Sequence, residues 1–130
     1  NGTGLVTASY YYVGNPVKAN VELLKAWTAE YGADAVPNYQ SIAGYDGMAA
    51  IYGLVRATKG NFDSEQAMKF LSNWKDPDSP RGPFSIDPET RDIVQTIYIN
   101  KVEMVNGKPF NVNIDKVENV KDPWKILNPS

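Results

Sequence analysis

The chain has 130 residues, 42% apolar and 22% charged, which is ordinary globular usage and enough for one packed core. Its net charge of −2 gives no basic footprint for nucleic acid, and no apolar run approaches the length of a membrane span. It has neither Cys nor His, which excludes a disulfide framework, a thiol nucleophile, the usual general base and the commonest metal ligand. No cofactor and no transition-metal site are therefore expected.

Residues 4–9 (Gly-Leu-Val-Thr-Ala-Ser) form a short β-favourable run at the start of the chain. A strand this close to the first residue, without a leader or a preceding turn, reads as cut from a longer protein. Tyr10, Tyr11 and Tyr12 follow it. Three consecutive rings cannot all point one way, so at least one faces a cleft or solvent. Asn15-Pro16 then reads as a helix start, with Asn15 as N-cap and Pro16 at the first helical position. Val17, Val21, Leu24, Thr28 and Tyr31 form its predicted buried stripe, with Trp27 at the edge, and Gly32 ends it. Glu22 and Lys25 are placed for a weak pair on its wet side.

After a connector interrupted by Pro37, residues 39–57 read as the central helix, with Ser41 as N-cap. Ile42, Tyr45, Met48, Ala49, Tyr52 and Val55 recur at helical spacing, while Ala43, Ala50, Ile51 and Leu54 make the other faces apolar too. Such a helix belongs inside a protein. Gly44, Gly47 and Gly53 each cost roughly 1 kcal/mol against Ala in a helix, so they predict neighbours pressed close to the backbone. Asp46, placed near the first turn, reads as structural because the helix dipole favours its charge there.

Asp63 and Gln66 form a predicted capping box for a third helix that buries Ala67, Phe70, Leu71 and Trp74. Residues 76–83, with three prolines, cannot continue it. A short strand at residues 84–86 leads to a turn at residues 87–90, where Asp87, Glu89 and Asp92 serve turn chemistry rather than catalysis. Residues 93–105 are strand material, Asn106-Gly107 is a strong hairpin signal, and residues 110–114 return antiparallel. The remainder reads as an extended tail anchored by Trp124. Three helices offer more apolar surface than these few strands cover, so part of their sheet is expected elsewhere.

Leu5-Val6-Thr7, Tyr12, Tyr31-Gly32, the stretch from Ala43 through Gly44-Tyr45-Asp46-Gly47 to Met48, and the run Gly82-Pro83-Phe84-Ser85-Ile86-Asp87 occur in that order before the hairpin. In order and spacing they resemble the C-terminal part of type I periplasmic substrate-binding proteins of the branched-chain amino-acid ABC transporter family. The departure at residues 87–92 resembles the branch that binds aromatic acids or amides. The resemblance implies an α/β fragment of a two-lobed fold, with three helices and a C-terminal β-hairpin. Residues 1–92 would be the C-terminal segment of the first lobe, with residues 1–9 a crossing strand. Residues 93–130 would be the final crossing strand, hairpin and tail of the second lobe.

The implied function is a periplasmic or otherwise extracytoplasmic, non-enzymatic ligand-binding subunit of an ABC importer, with a signal peptide in the full-length gene. It would work by lobe closure, with hinges near Thr7 to Ser9 and Thr90 to Ile93. The ligand would be a branched-chain or hydrophobic amino acid, or an aromatic acid. Its other partners would be a membrane permease and the missing N-terminal part of its own chain, and not nucleic acid. The rivals are a ligand-sensing regulatory domain of the same fold and a carbohydrate-active enzyme fragment. The ligand-binding residues expected from the resemblance are Tyr10, Tyr12, Tyr39, Ser41 and Ile42, at the end of a crossing strand and at a helix N-terminus suited to a carboxylate.

Overall fold

A computed structural model describes residues 2–128. Asn106 and Gly107 both take positive φ (50° and 77°), the requirement of a tight two-residue hairpin turn. They join two long strands, which we label with the rest in chain order: β1 Val6–Ser9, α1 Lys18–Tyr31, α2 Tyr39–Thr58, α3 Ser64–Leu71, β2 Lys75–Asp76, β3 Phe84–Ile86, β4 Ile93–Val105, β5 Lys108–Val120 and α4 Pro123–Leu127. The unit is mixed α/β as expected, with a short fourth helix added.

β4 is the spine. One edge pairs antiparallel with β5 from Gln95↔Val120 to Val105↔Lys108, with irregularities between Gln95 and Ile97 and between Ile99 and Asn100. The other edge carries β1, from Val6↔Lys101 to Ser9↔Tyr98. The start of β4 pairs with β3, which pairs with β2. β3 and β4 have the expected bounds. β5 runs beyond the expected residues 110–114, because the backbone of β4 offers it partners wherever the two strands stay in register.

The helix ends follow local hydrogen bonding. α3 begins at the expected capping box, where the Asp63 side chain accepts from the Gln66 N–H at 2.8 Å and Gln66 Oε1 accepts from the Asp63 N–H at 3.0 Å. The N-cap of α2 is Asn38, not Ser41. Its side chain accepts from the Ser41 N–H at 3.0 Å, and Ser41 Oγ returns the bond at 3.4 Å. Likewise α1 starts at Lys18, so Asn15 and Pro16 precede it. Asn15 Oδ1 instead accepts from the Val17 N–H at 3.3 Å, a turn that leads the chain into the helix. Glu22 pairs with Lys18, at 3.6 Å, instead of Lys25. The tail is extended only as far as Val120, the end of β5; beyond it Asp122 caps α4, and Trp124, expected as an anchor, is 66% exposed.

The expectation that α2 is covered on several sides fails within this chain. Ile42 and Leu54 are buried, but Tyr45, Met48, Ile51, Tyr52 and Val55 are 40–55% exposed. A Cβ at Gly53 would stand 2.4 Å from the Trp74 ring, so that glycine does admit a neighbour. Gly44 and Gly47 have nothing within 4 Å. The stripe expected on α1 is also open, with Val21 and Tyr31 exposed and Asn20 the residue fully buried.

Candidate functional site

The three tyrosines after β1 diverge. Tyr11 turns inward, where its hydroxyl donates to Asn20 Oδ1 at 2.9 Å and burial pushes its phenol up to about 12. Tyr10 meets Tyr39 edge-on with ring centroids 6.1 Å apart, and its hydroxyl donates to the Tyr39 carbonyl at 2.8 Å. Tyr12 meets Tyr98 edge-on at 5.0 Å. Edge-to-face contacts of this kind fix ring orientation as well as removing apolar area from water.

Between these rings and the hairpin lies a cleft of about 680 Å³. Ser9 and Tyr12 line its floor. Residues 33–39, with Val36 and Tyr39, form one wall, and the start of β5, with Lys108 and Phe110, forms the other. Phe110 lies against Gly14, where a Cβ would stand 3.1 Å from its ring. Lys108 Nζ reaches Asp34 Oδ1 at 3.1 Å, an exposed ion pair joining the two walls. Four aromatic residues, Tyr11, Tyr12, Tyr39 and Phe110, line it among aliphatic and polar groups, and a concave space of mixed apolar and polar lining is a usual form of a small-molecule site.

Of the expected ligand residues, Tyr12 and Tyr39 line this cleft and Tyr10 supports Tyr39 from outside it. Ser41 and Ile42 lie elsewhere. Ser41 is engaged in the capping box, which also occupies one N–H of the α2 first turn, and Ile42 is fully buried.

Sequence reasoning missed a buried polar network behind the cleft. Asp46 lies well past the first turn of α2, so the helix dipole does not account for it. Instead Arg81 Nε donates to Asp46 Oδ2 at 2.6 Å and Ser79 Oγ donates to Asp46 Oδ1 at 2.7 Å, with both partners of the ion pair 3% exposed. Burial pushes the Asp46 carboxyl above its ordinary value, against the opposing pull of Ser79 and Arg81. Arg81 Nη1 donates to Gln95 Oε1 at 2.7 Å, and the Arg81 carbonyl accepts from the Tyr98 hydroxyl at 2.7 Å. Asn15 Nδ2 donates to that same hydroxyl at 3.1 Å, and Asn20 Nδ2 donates to the Asn15 carbonyl at 2.7 Å. The signal was present: a carboxylate on an otherwise apolar helix requires a cation, and Arg81 sits beside a glycine in a loop too proline-rich to be helix.

A second hollow, of about 310 Å³, lies between α2, α3 and β3, with Ala50, Met68, Leu71 and Phe84 in its apolar walls. Its charged neighbours Asp46 and Arg81 are already paired with each other. The acidic turn behaves as turn chemistry predicts, with Asp87 Oδ1 accepting from the Glu89 N–H at 2.9 Å. Asp87 also pairs with Lys121 at 2.7 Å, and Asp92 with Lys125 at 2.6 Å. Those lysine hydrogen bonds hold both carboxyls below their ordinary values.

Residues 1–108 match the family profile described as periplasmic binding protein. The Leu/Ile/Val-binding protein homolog 6 of Brucella abortus (strain 2308) is 34% identical over 126 residues, covering 95% of this chain and 32% of that protein. The chain thus spans about a third of the length of the curated relatives it matches. Among solved structures, a solute-binding protein of an ABC transporter from Rhodopseudomonas palustris BisB5, in complex with 3,4-dihydroxybenzoic acid, is 41% identical with a TM-score of 0.88, over 95% of this chain and 33% of that one. Another, from Rhodopseudomonas palustris HaA2 in complex with p-hydroxybenzoic acid, is 36% identical with a TM-score of 0.83, over 95% and 33%. A third, from R. palustris in complex with 4-hydroxybenzoate, is 33% identical with a TM-score of 0.84, over 98% and 34%.

Proposed function

Because the chain belongs to the periplasmic binding protein family, we propose that the full-length protein is the periplasmic solute-binding subunit of an ABC importer for a hydroxybenzoate-type aromatic acid. It delivers this ligand to a membrane permease and is not an enzyme. Residues 1–92 belong to one lobe and residues 93–130 to the final crossing and the other lobe, so the cleft between residues 33–39 and β5 is part of the interlobe ligand site. Tyr12 and Tyr39 contact the ligand, with Tyr10 behind them. Lobe closure around the ligand is the working motion, absorbed near Thr7 to Ser9 and Thr90 to Ile93.

The observation that carries this reading is the aromatic lining of the cleft in a chain whose similar solved proteins hold hydroxybenzoates. Tyr12 and Tyr39, each met edge-on by a ring outside the cleft, offer apolar ring area to a flat aromatic ligand. The cleft's own carboxylate, Asp34, is matched by Lys108, so these walls offer little to an ammonium group. The second reading, a branched-chain amino acid, is favoured by the name of the Brucella relative. A sensor of the same fold would bind the same ligand without a permease. A carbohydrate-active enzyme needs two carboxyls facing each other across a substrate, and three of the four weighed above, Asp46, Asp87 and Asp92, are held in ion pairs, with Glu89 left, which argues against that reading. Titration calorimetry of the full-length protein with 4-hydroxybenzoate, 3,4-dihydroxybenzoate and leucine separates the readings. A hydroxybenzoate should bind at least tenfold more tightly than leucine, a gap of about 1.4 kcal/mol. A preference for leucine would replace this reading with the amino-acid one.

A further inference from the structure

The two cleft tyrosines, Tyr12 and Tyr39, come from different elements and share no contact in the hydrogen-bond network, yet the supports of both lead to one residue. The Arg81 guanidinium stands 4.3 Å from the centroid of the Tyr10 ring, and Tyr10 holds Tyr39 by its edge and by the hydrogen bond to the Tyr39 carbonyl. The Arg81 carbonyl accepts from the Tyr98 hydroxyl, and the Tyr98 ring packs edge-on to Tyr12. We propose that Arg81 is a positioning residue for the aromatic wall: its side chain sets Tyr39 through Tyr10, and its carbonyl sets Tyr12 through Tyr98.

Three features make Arg81 rigid enough for this role. Its guanidinium is fixed by Asp46 and Gln95 and also faces the Phe84 ring at 5.1 Å, so its planar fork is engaged on several sides. Its carbonyl is presented by Gly82, whose φ of +94° lies in the left-handed region that glycine tolerates. A Cβ on Gly82 would stand 2.8 Å from the Tyr98 hydroxyl, so this position admits the close approach on which the Tyr12 branch depends. A binding wall held in place before ligand arrives loses less freedom on binding.

The two branches make the proposal separable from general stability. The full-length protein is prepared with fluorotyrosine at position 12 or at position 39, and ¹⁹F spectra are recorded without ligand. Arg81→Lys keeps the carbonyl but loses the planar cation, so it should shift the Tyr39 signal and spare that of Tyr12. Tyr98→Phe removes the bond to the Arg81 carbonyl, so it should shift the Tyr12 signal and spare that of Tyr39. Leu54→Ala, a core truncation outside the network, should lower the melting temperature and move neither. Should Arg81→Lys fail to fold, Gln95→Leu, which releases Nη1 of the Arg81 guanidinium, tests the same branch and should shift Tyr39 alone. Signals that move together in every variant, or in none, overturn the proposal. A second readout rests on the function proposed above: Arg81→Lys should weaken 4-hydroxybenzoate binding roughly threefold to tenfold, the scale of one cation–π contact, while Leu54→Ala leaves it unchanged. A native protein that ignores 4-hydroxybenzoate would remove the ligand assignment, and the ligand-free spectra would still decide the role of Arg81.

Discussion

Behind the cleft lies a polar network in which Asn15, Asn20, Asp46, Ser79 and Arg81 are almost wholly out of water, and each has a named partner; Asn100, also fully buried, leaves its Nδ2 without one. Along the outer side of α2 the surface is apolar, and Tyr45, Met48, Ile51 and Tyr52 stand open to solvent. Ordinary domains show the reverse, with apolar groups inside and buried polar groups few. Burial by hydrogen bonding needs only the right partners within reach, and this chain contains them. Burial of a wide apolar face needs a second layer of structure, and the similar solved proteins are about three times as long as this chain. The polar network thus finds its partners within this chain, whereas the outer face of α2 stays uncovered among the described residues.

The largest effect should come from breaking the polar side. Asp46→Ala leaves a buried guanidinium without its counter-ion, and equilibrium unfolding of the full-length protein should show a loss of about 3–5 kcal/mol. Adding Arg81→Met to that variant should recover much of the loss, because a buried ion pair is often replaceable by apolar groups of similar volume. No recovery would mean that the network contributes more than charge balance.

A smaller effect separates two glycines of α2. Gly53→Ala forces the Trp74 ring to move and should cost about 1–3 kcal/mol as overpacking. At Gly47 a Cβ meets nothing among the described residues, yet under the two-lobe reading proposed above Gly47→Ala in the full-length protein should also lower the melting temperature, since that reading packs further chain on this face. A gain of about 1 kcal/mol, the ordinary helix preference for alanine, would show that this face of α2 is bare and break the comparison.

The smallest effect is on pH dependence. The Lys121 hydrogen bond lowers the Asp87 carboxyl in the folded protein. Its contribution is therefore present above the ordinary carboxylate value and lost as pH falls through the lowered one. Lys121→Met should flatten the acid side of a melting-temperature profile. A profile of unchanged slope would deny the Asp87 pair its role.

Much of the fold was legible because it rests on local rules. Asn106-Gly107 demanded positive φ, and Asp63 with Gln66 announced a reciprocal cap. The expected N-cap of α2, Ser41, falls three residues late, because a serine there obeys the same capping rule as Asn38, and the reciprocal bonds between the two decide for Asn38. The outer half of β5 escaped notice because Asp115, Lys116 and Glu118 are exposed and no apolar alternation survives there. The cleft was half legible. Tyr12 and Tyr39 came from a resemblance, while Lys108 and Phe110 arrive through the fold of the hairpin and carry no local mark of a site. The Arg81–Asp46 pair joins residues far apart in the chain, so the carboxylate hinted at a partner without naming it.

The central claim is that the tyrosine-lined cleft holds the ligand, and truncating its wall tests it most directly. In calorimetric titrations of the full-length protein with 4-hydroxybenzoate, Tyr39→Ala should weaken binding by about 1–3 kcal/mol, the scale of burying one large side chain, with a much smaller fall in the ligand-free melting temperature. Unchanged affinity in both Tyr39→Ala and Tyr12→Ala, with the fold intact, would contradict the claim and move the site away from this cleft.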